Sequence, residues 1–582
     1  MLRRVPVSLR SLVGFRGGGG RTRRCADLSS YAPSLSEAPA AASGGGWGWG
    51  WGRPVSFVGL RWFSGIRNIP RDEALKYMPR LKKTRSAREA INILKDIERD
   101  GFIPSVFNYN LTISKCAKDG KLEEAKKIFR QMQHNKVSPS EVTFNALIDA
   151  CANAGKDSEA LQFLRDMEEM YGLLPNVRSY NSTISACEKA GNWEKAIELL
   201  REMQNRGVEP NVISYSASIS ACEKGGQTDE ALLLLVEMEA KSIEPDLITF
   251  AAAISACEKG GSKHTDTALS LFEEMCNREI WPNVITYSAT ISACEKGGAD
   301  YTTTALALFD EMKEHGVQPE VITYNATISA CEKGGADYTK TALELFDEMR
   351  QYGVEPAVIT YSALISACEK GGADYTYTAL RLFDEMKENG VNPNNITYNA
   401  LISACGRGGK ENVDIALRHF DEMQKLGIHP DKITYTAITK ACYDNEIYPE
   451  AMETTKEAVS KGLVPTLGTN AKEWDLHEMR EAQACMLVAD ALISSVKSAS
   501  FRDILLITGR GKQSRSLRNA DAVLQVKVPA FLKDLAGLEL AEHIQGGKVN
   551  EGAFGITKKA LQKWAKSDDF IPFQALMTGK GQ

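Results

Sequence analysis

Apolar residues in the segment 321–357 recur at helical spacing in two runs that a pair of glycines separates. The first run predicts a helix over about residues 323–333, with Thr323 as its cap and Gly334 at its end. The second run predicts a helix over about residues 339–352, which a glycine and a proline then stop. The segment is therefore predicted to be one helical hairpin.

The hairpin pattern is repeated along most of the chain. A cysteine returns every 35–37 residues, at Cys116, Cys151, Cys187, Cys222, Cys257, Cys294, Cys331, Cys368, Cys405 and Cys442. Prolines follow the same period, and two independent series with one period establish an internal repeat. Ten full units occupy residues 106–466, and a degenerate unit precedes them at residues 71–105.

The repeat predicts the fold class. Neither helix of a unit can bury its apolar side alone, so neighbouring units must stack into an all-α helical-hairpin solenoid with a long concave surface. The first helix of each unit is rich in small residues, which suits close packing between units. One cysteine per unit at a fixed helical position predicts a small buried packing residue rather than a metal ligand or a disulfide.

The pattern changes after residue 466. Residues 471–582 carry a net charge of +3 and alternate between short strands and helices, which predicts a small α/β domain. Strands are predicted at residues 474–476, 503–508 and 539–544. Helices are predicted up to about residue 497 and over about residues 520–535 and 558–566, with a turn before the last of these.

The N-terminal segment, residues 1–63, is low in acidic residues, and residues 1–70 contain ten Arg and no Lys. This composition predicts a disordered organellar transit peptide; a disordered basic tail is the alternative. An Arg shortly before Phe63 favours cleavage after Phe63 and the mitochondrion over the plastid. The remaining chain has a net charge of −13, so any nucleic-acid binding must depend on locally clustered cations. No run approaches the roughly 20 apolar residues of a membrane span, so no membrane partner is expected.

The repeated pattern V-[IT]-T-Y-N-x-x-I-S-A-C-x-K-x-G, followed by A-L-x-L-F-x-E-M-x-x-x-G-V-x-P, resembles the pentatricopeptide repeat family of organellar RNA-binding proteins. The resemblance covers about 360 of the 582 residues. It implies a sequence-selective array that binds about ten nucleotides of single-stranded RNA, one base per repeat. The tetratricopeptide repeat, a protein-binding helical pair, is the nearest competitor, but its Trp-Leu-Gly-Tyr pattern is absent here.

Two positions per unit vary among small polar residues, which suits hydrogen bonding to base edges. The first set, which we call the selecting residues, directly follows the Tyr or Phe of the first helix: Asn110, Asn145, Asn181, Ser216, Ser288, Asn325, Ser362, Asn399 and Thr436, with Ala251 in the fifth unit. The second set follows the closing proline: Ser140, Asn176, Asn211, Asp246, Asn283, Asn394 and Asp431, with Glu320, Ala357 and Thr466 in weaker units. Helix and turn capping is the alternative role of these residues. The resemblance implies a site read 5′ to 3′ as about C-Y-Y-G-N-N-N-A-U-N.

Two further series repeat along the array. The resemblance places an apolar or planar wedge between bases three residues before each selecting residue, at Phe107, Val142, Arg178, Ile213, Ile248, Ile285, Ile322, Ile359, Ile396 and Ile433; a core role is the alternative. Cations two residues after the repeated cysteine are predicted to follow the RNA backbone: Lys118, Lys189, Lys224, Lys259, Lys296, Lys333, Lys370 and Arg407. Cations in a last helical turn also complement the helix dipole.

The C-terminal region resembles the Smr (small MutS-related) domain in three fragments: Asp475-Leu476-His477, Thr508-Gly509-Arg510-Gly511-Lys512 and the predicted turn Asn550-Glu551-Gly552. It departs from that family at Glu478, where a glycine is usual. The loop cations Arg510, Lys512 and Arg515 are predicted to hold phosphate.

The first of these fragments carries the candidate chemistry. Asp475 and His477, on one face of a strand, could hold a divalent cation such as Mg²⁺ or move a proton during RNA cleavage, or could merely order the loop. The resemblance implies nicking or RNA endonuclease activity, although some members only bind. Three functions stay open at this point: an organellar RNA-binding protein that processes or cleaves transcripts with protein partners, a non-catalytic RNA-binding protein that protects them, and a protein-binding scaffold.

Overall fold

The computed structural model describes residues 77–465, 467, 473–476, 479–498, 501, 503–507, 515–538, 540–545 and 548–579. These residues belong to two compact units, the first of which ends at Ala190 while the second begins at Gly191. The residues predicted to form a separate C-terminal domain lie in the second unit. The predicted transit peptide and the first residues of the degenerate repeat lie outside the described residues.

The first unit consists of helices packed in pairs. Its helices are α1 (Met78–Lys83), α2 (Ala87–Arg99), α3 (Val106–Lys118), α4 (Leu122–His134), α5 (Glu141–Ala154), α6 (Asp157–Glu169) and α7 (Val177–Ala190). The first helices of successive repeats, α3, α5 and α7, pack directly on each other. The degenerate repeat is therefore helical, as its position predicts.

The second unit continues the same hairpin pattern. Its repeat helices are α8 (Trp193–Asn205), α9 (Val212–Lys224), α10 (Thr228–Ala240), α11 (Leu247–Gly260), α12 (Thr265–Asn277), α13 (Val284–Gly297), α14 (Thr302–Glu314), α15 (Val321–Gly334), α16 (Thr339–Gln351), α17 (Val358–Gly371), α18 (Thr376–Glu388), α19 (Asn395–Arg407), α20 (Lys410–Lys425), α21 (Lys432–Asp444) and α22 (Tyr448–Ser460). First helices again contact first helices, which confirms the predicted helical-hairpin solenoid.

The hairpin in segment 321–357 differs from its prediction at one end. Its first helix begins at Val321, and Glu320 rather than Thr323 occupies the cap position. Thr323 lies in the first turn, where its hydroxyl accepts a hydrogen bond from the Glu320 N–H at 3.2 Å. The prediction was wrong because a threonine can satisfy a backbone donor from inside the first turn as well as from the cap. The second helix begins at Thr339, as predicted.

The two extra residues of the middle units form a short turn of 3₁₀-helix. In this segment it covers Ala336–Tyr338 and follows Gly335, whose φ of 92° favours glycine. The preceding Gly334 is required for another reason, because a Cβ there would lie 2.5 Å from Cδ2 of Tyr338. The insertion therefore fits the stack only together with both glycines.

Aromatic and cysteine side chains fill the space between helices. Tyr324 is fully buried, and its ring packs edge-on against Phe309 of the preceding repeat with 5.2 Å between centroids. Cys331 is also fully buried, and burial raises the pKa of its thiol to about 12. The other nine repeated cysteines are equally inaccessible, which confirms their predicted role in packing.

The C-terminal residues form a sheet flanked by helices. Strands β1 (Glu473–Asp475), β2 (Ile504–Ile507), β3 (Ala541–Gln545) and β4 (Lys548–Ile556) are arranged in the order β1-β2-β4-β3. The first two strands are parallel, whereas β4 runs antiparallel to both of its neighbours. The helices are α23 (Glu481–Lys497), α24 (Arg515–Asp534), α25 (Lys558–Trp564) and α26 (Phe570–Thr578). The predicted α/β class is confirmed.

Three details of that region were predicted incorrectly. The turn expected at Asn550-Glu551-Gly552 lies inside β4, whose backbone pairs with β2 on one side and β3 on the other. Helix α24 begins at Arg515, five residues earlier than expected, and α26 was not predicted. Two glycines and one asparagine lower the strand propensity of β4, and neighbouring strands supply the hydrogen bonds that stabilise it.

The C-terminal helices pack against the last repeat. Helix α23 contacts α21 and α22, and α26 contacts α22. The ring of Tyr443 lies 6.1 Å from that of Phe531, and its hydroxyl lies 3.5 Å from Sγ of Cys485. The apolar end of the repeat stack is thereby covered, as a solenoid requires. In the part of the chain with described structure, no helix is long and apolar enough to cross a bilayer.

Candidate nucleic-acid interface

Each first helix of the second unit exposes one large apolar side chain near its start. These side chains are between 58% and 65% exposed, and we call them the exposed apolar row: Ile213, Ile248, Ile285, Ile322, Ile359, Ile396 and Ile433. In the first unit the same position is exposed at Phe107, Val142 and Arg178. The alternative that these residues belong to the core is therefore wrong.

The predicted selecting residue lies one helical turn after each member of the row. Ile322 and Asn325 are three residues apart on α15, so their side chains project from the same face. The apolar side chain is exposed, while the polar one is half-buried against the next repeat. In the second unit, each first helix except α11, which has Ala251, thus presents an apolar surface beside a recessed polar group.

A threonine of the following repeat fixes the amide of each of two selecting asparagines. The hydroxyl of Thr360 donates to Oδ1 of Asn325 at 2.6 Å and accepts from the Ala357 N–H at 2.9 Å. In the first unit, Thr143 donates to Oδ1 of Asn110 at 2.6 Å. A hydroxyl has one proton and two acceptor lone pairs, so Thr360 can donate to the asparagine oxygen while it accepts the N–H. At Asn325, the amide Nδ2 is then the group that remains to donate.

Most other selecting residues are also held by hydrogen bonds. Ser288 and Ser362 lie 2.7 and 2.8 Å from threonine hydroxyls of the following repeats. Ser216 donates to the Val212 carbonyl oxygen at 2.7 Å, and Thr436 makes the same bond within α21. Asn145 accepts from Ser179 at 2.7 Å. Asn181 is buried on α7.

The residues that follow the closing prolines lie at the cap positions of the first helices. The capping alternative is confirmed for the Asn and Asp residues among them. Oxygens of these caps accept from backbone N–H groups at 2.8–3.2 Å, at Asn176, Asn211, Asp246, Asn283, Asn394 and Asp431. Ser140 instead accepts from Nδ2 of Asn110 at 3.1 Å. Asp246 and Asp431 each use only Oδ1 for these bonds, which leaves the second carboxylate oxygen for another partner. Capping and base contact are thus compatible.

Asn399 differs from the other selecting residues. Its Oδ1 is buried and has no hydrogen-bond partner among the described residues. The reason is that the hydroxyl of Thr434 donates to Asp431 at 3.0 Å instead of to Asn399. An unpaired buried acceptor costs about 1–3 kcal/mol, so this atom is suited to an external donor.

The predicted cation row is paired with glutamates. In the second unit, each of four cations binds a carboxylate of the preceding repeat at 2.5–2.7 Å: Lys259 with Glu223, Lys296 with Glu258, Lys370 with Glu332 and Arg407 with Glu369. Lys333 lies 3.5 Å from Glu332, Lys189 donates to Asn153, and Lys118 and Lys224 lie at the last turns of α3 and α9. The local positive charge is thus largely offset in the free protein, and phosphate binding by this row stays a prediction.

The glutamate partners were missed by sequence reasoning. They directly follow the repeated cysteine, and the Cys-Glu-Lys triplet that recurs in the middle units was a visible signal for charge pairs. The threonine that orients the selecting residue was likewise visible, directly before the buried Tyr or Phe of most first helices. Its partner could not be inferred, because the contact joins residues 33–35 positions apart.

The C-terminal candidates are only partly described. The backbone of Asp475 ends β1, and that of Arg515 begins α24. His477, Arg510 and Lys512 lie outside the described residues, as does Thr466. The predicted shared face of Asp475 and His477 therefore stays a prediction. Among the residues with described side chains, no group of three His, Cys, Asp or Glu is placed to hold a metal ion.

Family models match most of the chain. The model of the pentacotripeptide-repeat region of PRORP matches residues 70–230, and that of the pentatricopeptide repeat domain matches 233–298, 270–334, 307–371 and 418–470. Models of the PPR repeat match 374–407 and 396–428. The Smr domain model matches residues 474–561. No curated protein matches the chain in sequence.

Solved structures share low sequence identity with the chain. PPR10 from maize is 20% identical, with a TM-score of 0.41, over 78% of this chain and 77% of that one. Yeast Rmd9p in complex with a 16-nucleotide target RNA is 11% identical, with a TM-score of 0.30, over 82% and 98% of the two chains. The PPR domain of Arabidopsis thaliana protein-only RNase P 1 in complex with tRNA is 16% identical, with a TM-score of 0.27, over 35% and 95%.

Proposed function

The chain belongs to the pentatricopeptide repeat family and ends in an Smr domain, and from this premise we propose that it binds single-stranded RNA sequence-selectively, one base per repeat. The observation that carries the proposal is the exposed apolar row. Among the described residues, the isoleucine at one helical position in each repeat of the second unit is 58–65% exposed, so its apolar surface contributes little to packing there. Apolar wedges between successive bases account for that placement, since bases bring apolar faces to every repeat.

The recessed polar groups give the array its selectivity. Where a threonine holds Oδ1, as at Asn325, the amide offers Nδ2 as a donor to a base acceptor such as pyrimidine O2. Where Oδ1 is unpaired, as at Asn399, the same side chain accepts from a base N–H. Asn399 together with Asp431 is the pair that we expect to select uracil. Ala357 offers no side-chain hydrogen bond, so its repeat contributes less to selectivity.

Selection of RNA by the purified full chain tests the proposal. A randomised single-stranded RNA pool is equilibrated with the protein, and bound RNA is sequenced. The proposal predicts enrichment of a motif of about ten nucleotides with G, A and U at its fourth, eighth and ninth positions, and affinity that falls as salt is raised. Absence of any salt-sensitive binding to a single strand would refute it.

A variant with Ile285→Ala, Ile322→Ala and Ile359→Ala isolates the exposed row. Loss of three base contacts at about 1 kcal/mol or more each is expected to weaken RNA binding at least a hundredfold. Leu233→Ala with Val236→Ala is the matched control, because these apolar residues are 54% and 59% exposed on a second helix. Equal loss in both variants would contradict the role of the row.

We further propose that the C-terminal region cleaves the RNA that the repeats hold, with Asp475 and His477 as the reacting groups. The match of the Smr domain model over residues 474–561, which include both, supports this. Purified protein and the Asp475→Ala variant are incubated with bound RNA, with and without Mg²⁺. Cleavage by the original chain alone supports the proposal. Equal cleavage by both proteins would refute it, and no cleavage by either would favour a protecting role.

The Arg-rich composition of residues 1–70 supports a mitochondrial destination. Fusion of these residues to a fluorescent protein tests this. Mitochondrial fluorescence and a new N-terminus after Phe63 are expected, whereas plastid or diffuse fluorescence would contradict the proposal.

A further inference from the structure

Helix α23 follows the last repeat in space. From α11 onward, each first helix packs on the first and second helices of the repeat before it, and α23 makes the same two contacts with α21 and α22. The C-terminal region thus supplies a helix where an eleventh repeat would place its own first helix. Thr436, the selecting residue of the tenth repeat, faces this junction.

The start of α23 differs from the start of a repeat in one respect. The third residue of a repeat's first helix is usually a threonine, which closes over the selecting residue of the previous repeat, as Thr360 does over Asn325. The third residue of α23 is Gln483. Here Gln483 and Thr436 do not close the gap but line a common cavity of about 300 Å³, a volume at the lower end of ligand sites in proteins.

A buried amide at this cavity lacks a partner. Gln483 is 2% exposed, and its Nε2 forms no hydrogen bond with any residue whose structure is described. Thr436 donates its proton to the Lys432 carbonyl oxygen, which leaves its hydroxyl oxygen as an acceptor. Buried donors in native proteins are nearly always satisfied, so an unpaired one beside a cavity points to a ligand.

The charges around the cavity suit a nucleotide. Its two acidic residues are ion-paired with lysines, Asp444 with Lys440 and Glu481 with Lys527. Arg480 lies exposed at the rim, where it adds a cation for a phosphate or a planar group for a base. Ala482 stands where the repeats have an exposed isoleucine, and it is buried, so no apolar wedge fills the space.

We propose that the junction cavity binds one further nucleobase, directly 3′ of the ten that the repeats bind, with Nε2 of Gln483 donating to an acceptor on that base. This inference rests on the proposed RNA binding. It makes the C-terminal region part of the selecting surface and fixes the RNA strand at the point where it passes from the repeats to that region.

Three forms of one RNA test the proposal. The RNA selected by the full chain is cut after its tenth recognised nucleotide, extended there by one uridine, or extended by one abasic nucleotide, and affinity is measured by fluorescence anisotropy. The uridine is expected to strengthen binding about threefold to tenfold over the abasic extension, the contribution of one added hydrogen bond. The Gln483→Leu variant should lose that difference while it binds the ten-nucleotide RNA unchanged.

The controls separate this cavity from the repeats. Gln424→Leu makes the same change on an exposed part of α20 and should keep the preference for uridine. Gln483→Leu should melt no lower than the original chain, because it removes an unpaired buried donor. Equal binding of the uridine and abasic extensions by the original chain would overturn the inference while the proposed RNA binding stands. The inference would also be overturned if Gln483→Leu lost as much affinity for the ten-nucleotide RNA as for the uridine extension. Absence of all RNA binding would overturn both.

Discussion

The hydroxyl of Thr360 lies 2.6 Å from Oδ1 of Asn325, across the boundary between the seventh and eighth repeats. The same hydroxyl accepts the N–H of Ala357, so one side chain both supports the start of a helix and orients a predicted base-selecting amide. The packing of neighbouring repeats and the selection of bases are therefore connected, because a change in the packing of one repeat alters the group that its neighbour offers to RNA.

Thr360→Val tests this connection. Thr360 is fully buried, and loss of its two hydrogen bonds should cost about 1–3 kcal/mol of stability. Released from the hydroxyl, the Asn325 amide can turn, so base discrimination at the nucleotide of the seventh repeat should weaken. Melting and affinity for RNAs that differ at that nucleotide measure the two effects.

Thr339→Val is the matched control. Thr339 is equally buried and donates to the Ala367 carbonyl oxygen at 3.0 Å, away from any selecting residue. It should lose stability without losing discrimination. The connection fails if both variants alter base preference alike, or if neither does.

The ion pair between Lys370 and Glu332 leads us to expect that changes at these residues alter RNA affinity and its dependence on salt. Nζ of Lys370 lies 2.5 Å from Oε1 of Glu332, so the carboxylate competes with RNA phosphate for the cation. Glu332→Gln should therefore strengthen RNA binding, and Lys370→Ala should weaken it and reduce the slope of log affinity against log salt by about 0.7.

Lys340→Ala serves as the control, since Lys340 is exposed on a second helix and paired with Glu344. It should leave the salt dependence unchanged. If Lys370→Ala also leaves it unchanged, the cations serve only the ion pairs and the helix ends.

Glu237 predicts an acid dependence of stability. Burial alone would raise the pKa of this carboxyl, but hydrogen bonds from Arg201, Lys241, Tyr215 and Gln204 lower it to about 2. The unfolded value is about 4.3, so the stabilisation is present above that pH and is lost as pH falls toward 2. Glu237→Gln should lower the melting temperature at pH 7. The melting temperature of this variant should also fall less than that of the original chain as the pH is lowered from about 4.5 to 2.

Glu295 gives the opposite case. Burial raises the pKa of its carboxyl, so its charged form destabilises the fold at neutral pH. Glu295→Gln should raise the melting temperature at pH 7, where Glu237→Gln lowers it. A shift of the same sign in both variants would contradict this assignment.

A side chain at residue 334 would conflict with its neighbours. A Cβ at this residue would lie 2.5 Å from Tyr338 and 2.8 Å from Oγ1 of Thr302, so Gly334→Ala should destabilise the chain by about 1–3 kcal/mol. Chemical denaturation measures the loss. The double variant with Tyr338→Ala removes the shorter contact and keeps the one with Thr302, so the cost of the added methyl group should fall but not vanish; an unchanged cost would place the strain elsewhere.

The repeat hairpins were predictable because local signals agree with one another. Helical spacing, paired glycines and a closing proline mark each element of segment 321–357, and the tenfold repetition confirms the period. The start of the helix was displaced by two residues, because Thr323 accepts the N–H of the cap residue Glu320 from the third helical position, whereas a capping side chain accepts N–H groups of the first turn.

Contacts between repeats were not predictable in the same way. The bond between Thr360 and Asn325, and the pair of Lys370 with Glu332, depend on how one helix is placed on the next. The strand β4 was not predictable for the same reason, since its position inside the sheet results from pairing with β2 and β3 rather than from its own residues. The junction at Gln483 joins elements that the sequence assigns to different domains.

A double substitution in the ninth repeat tests the central claim most directly. The site implied by the resemblance assigns adenine to the eighth repeat, with Ser362 and Asn394, and uracil to the ninth, with Asn399 and Asp431. Asn399→Ser combined with Asp431→Asn copies the pair of the eighth repeat and should therefore change the preferred ninth nucleotide. Affinities are measured for four RNAs that differ only at that nucleotide. A shift of preference from uracil to adenine there, with the other positions unchanged, is the predicted result. An unchanged preference, or a change spread over other nucleotides, would contradict one base per repeat.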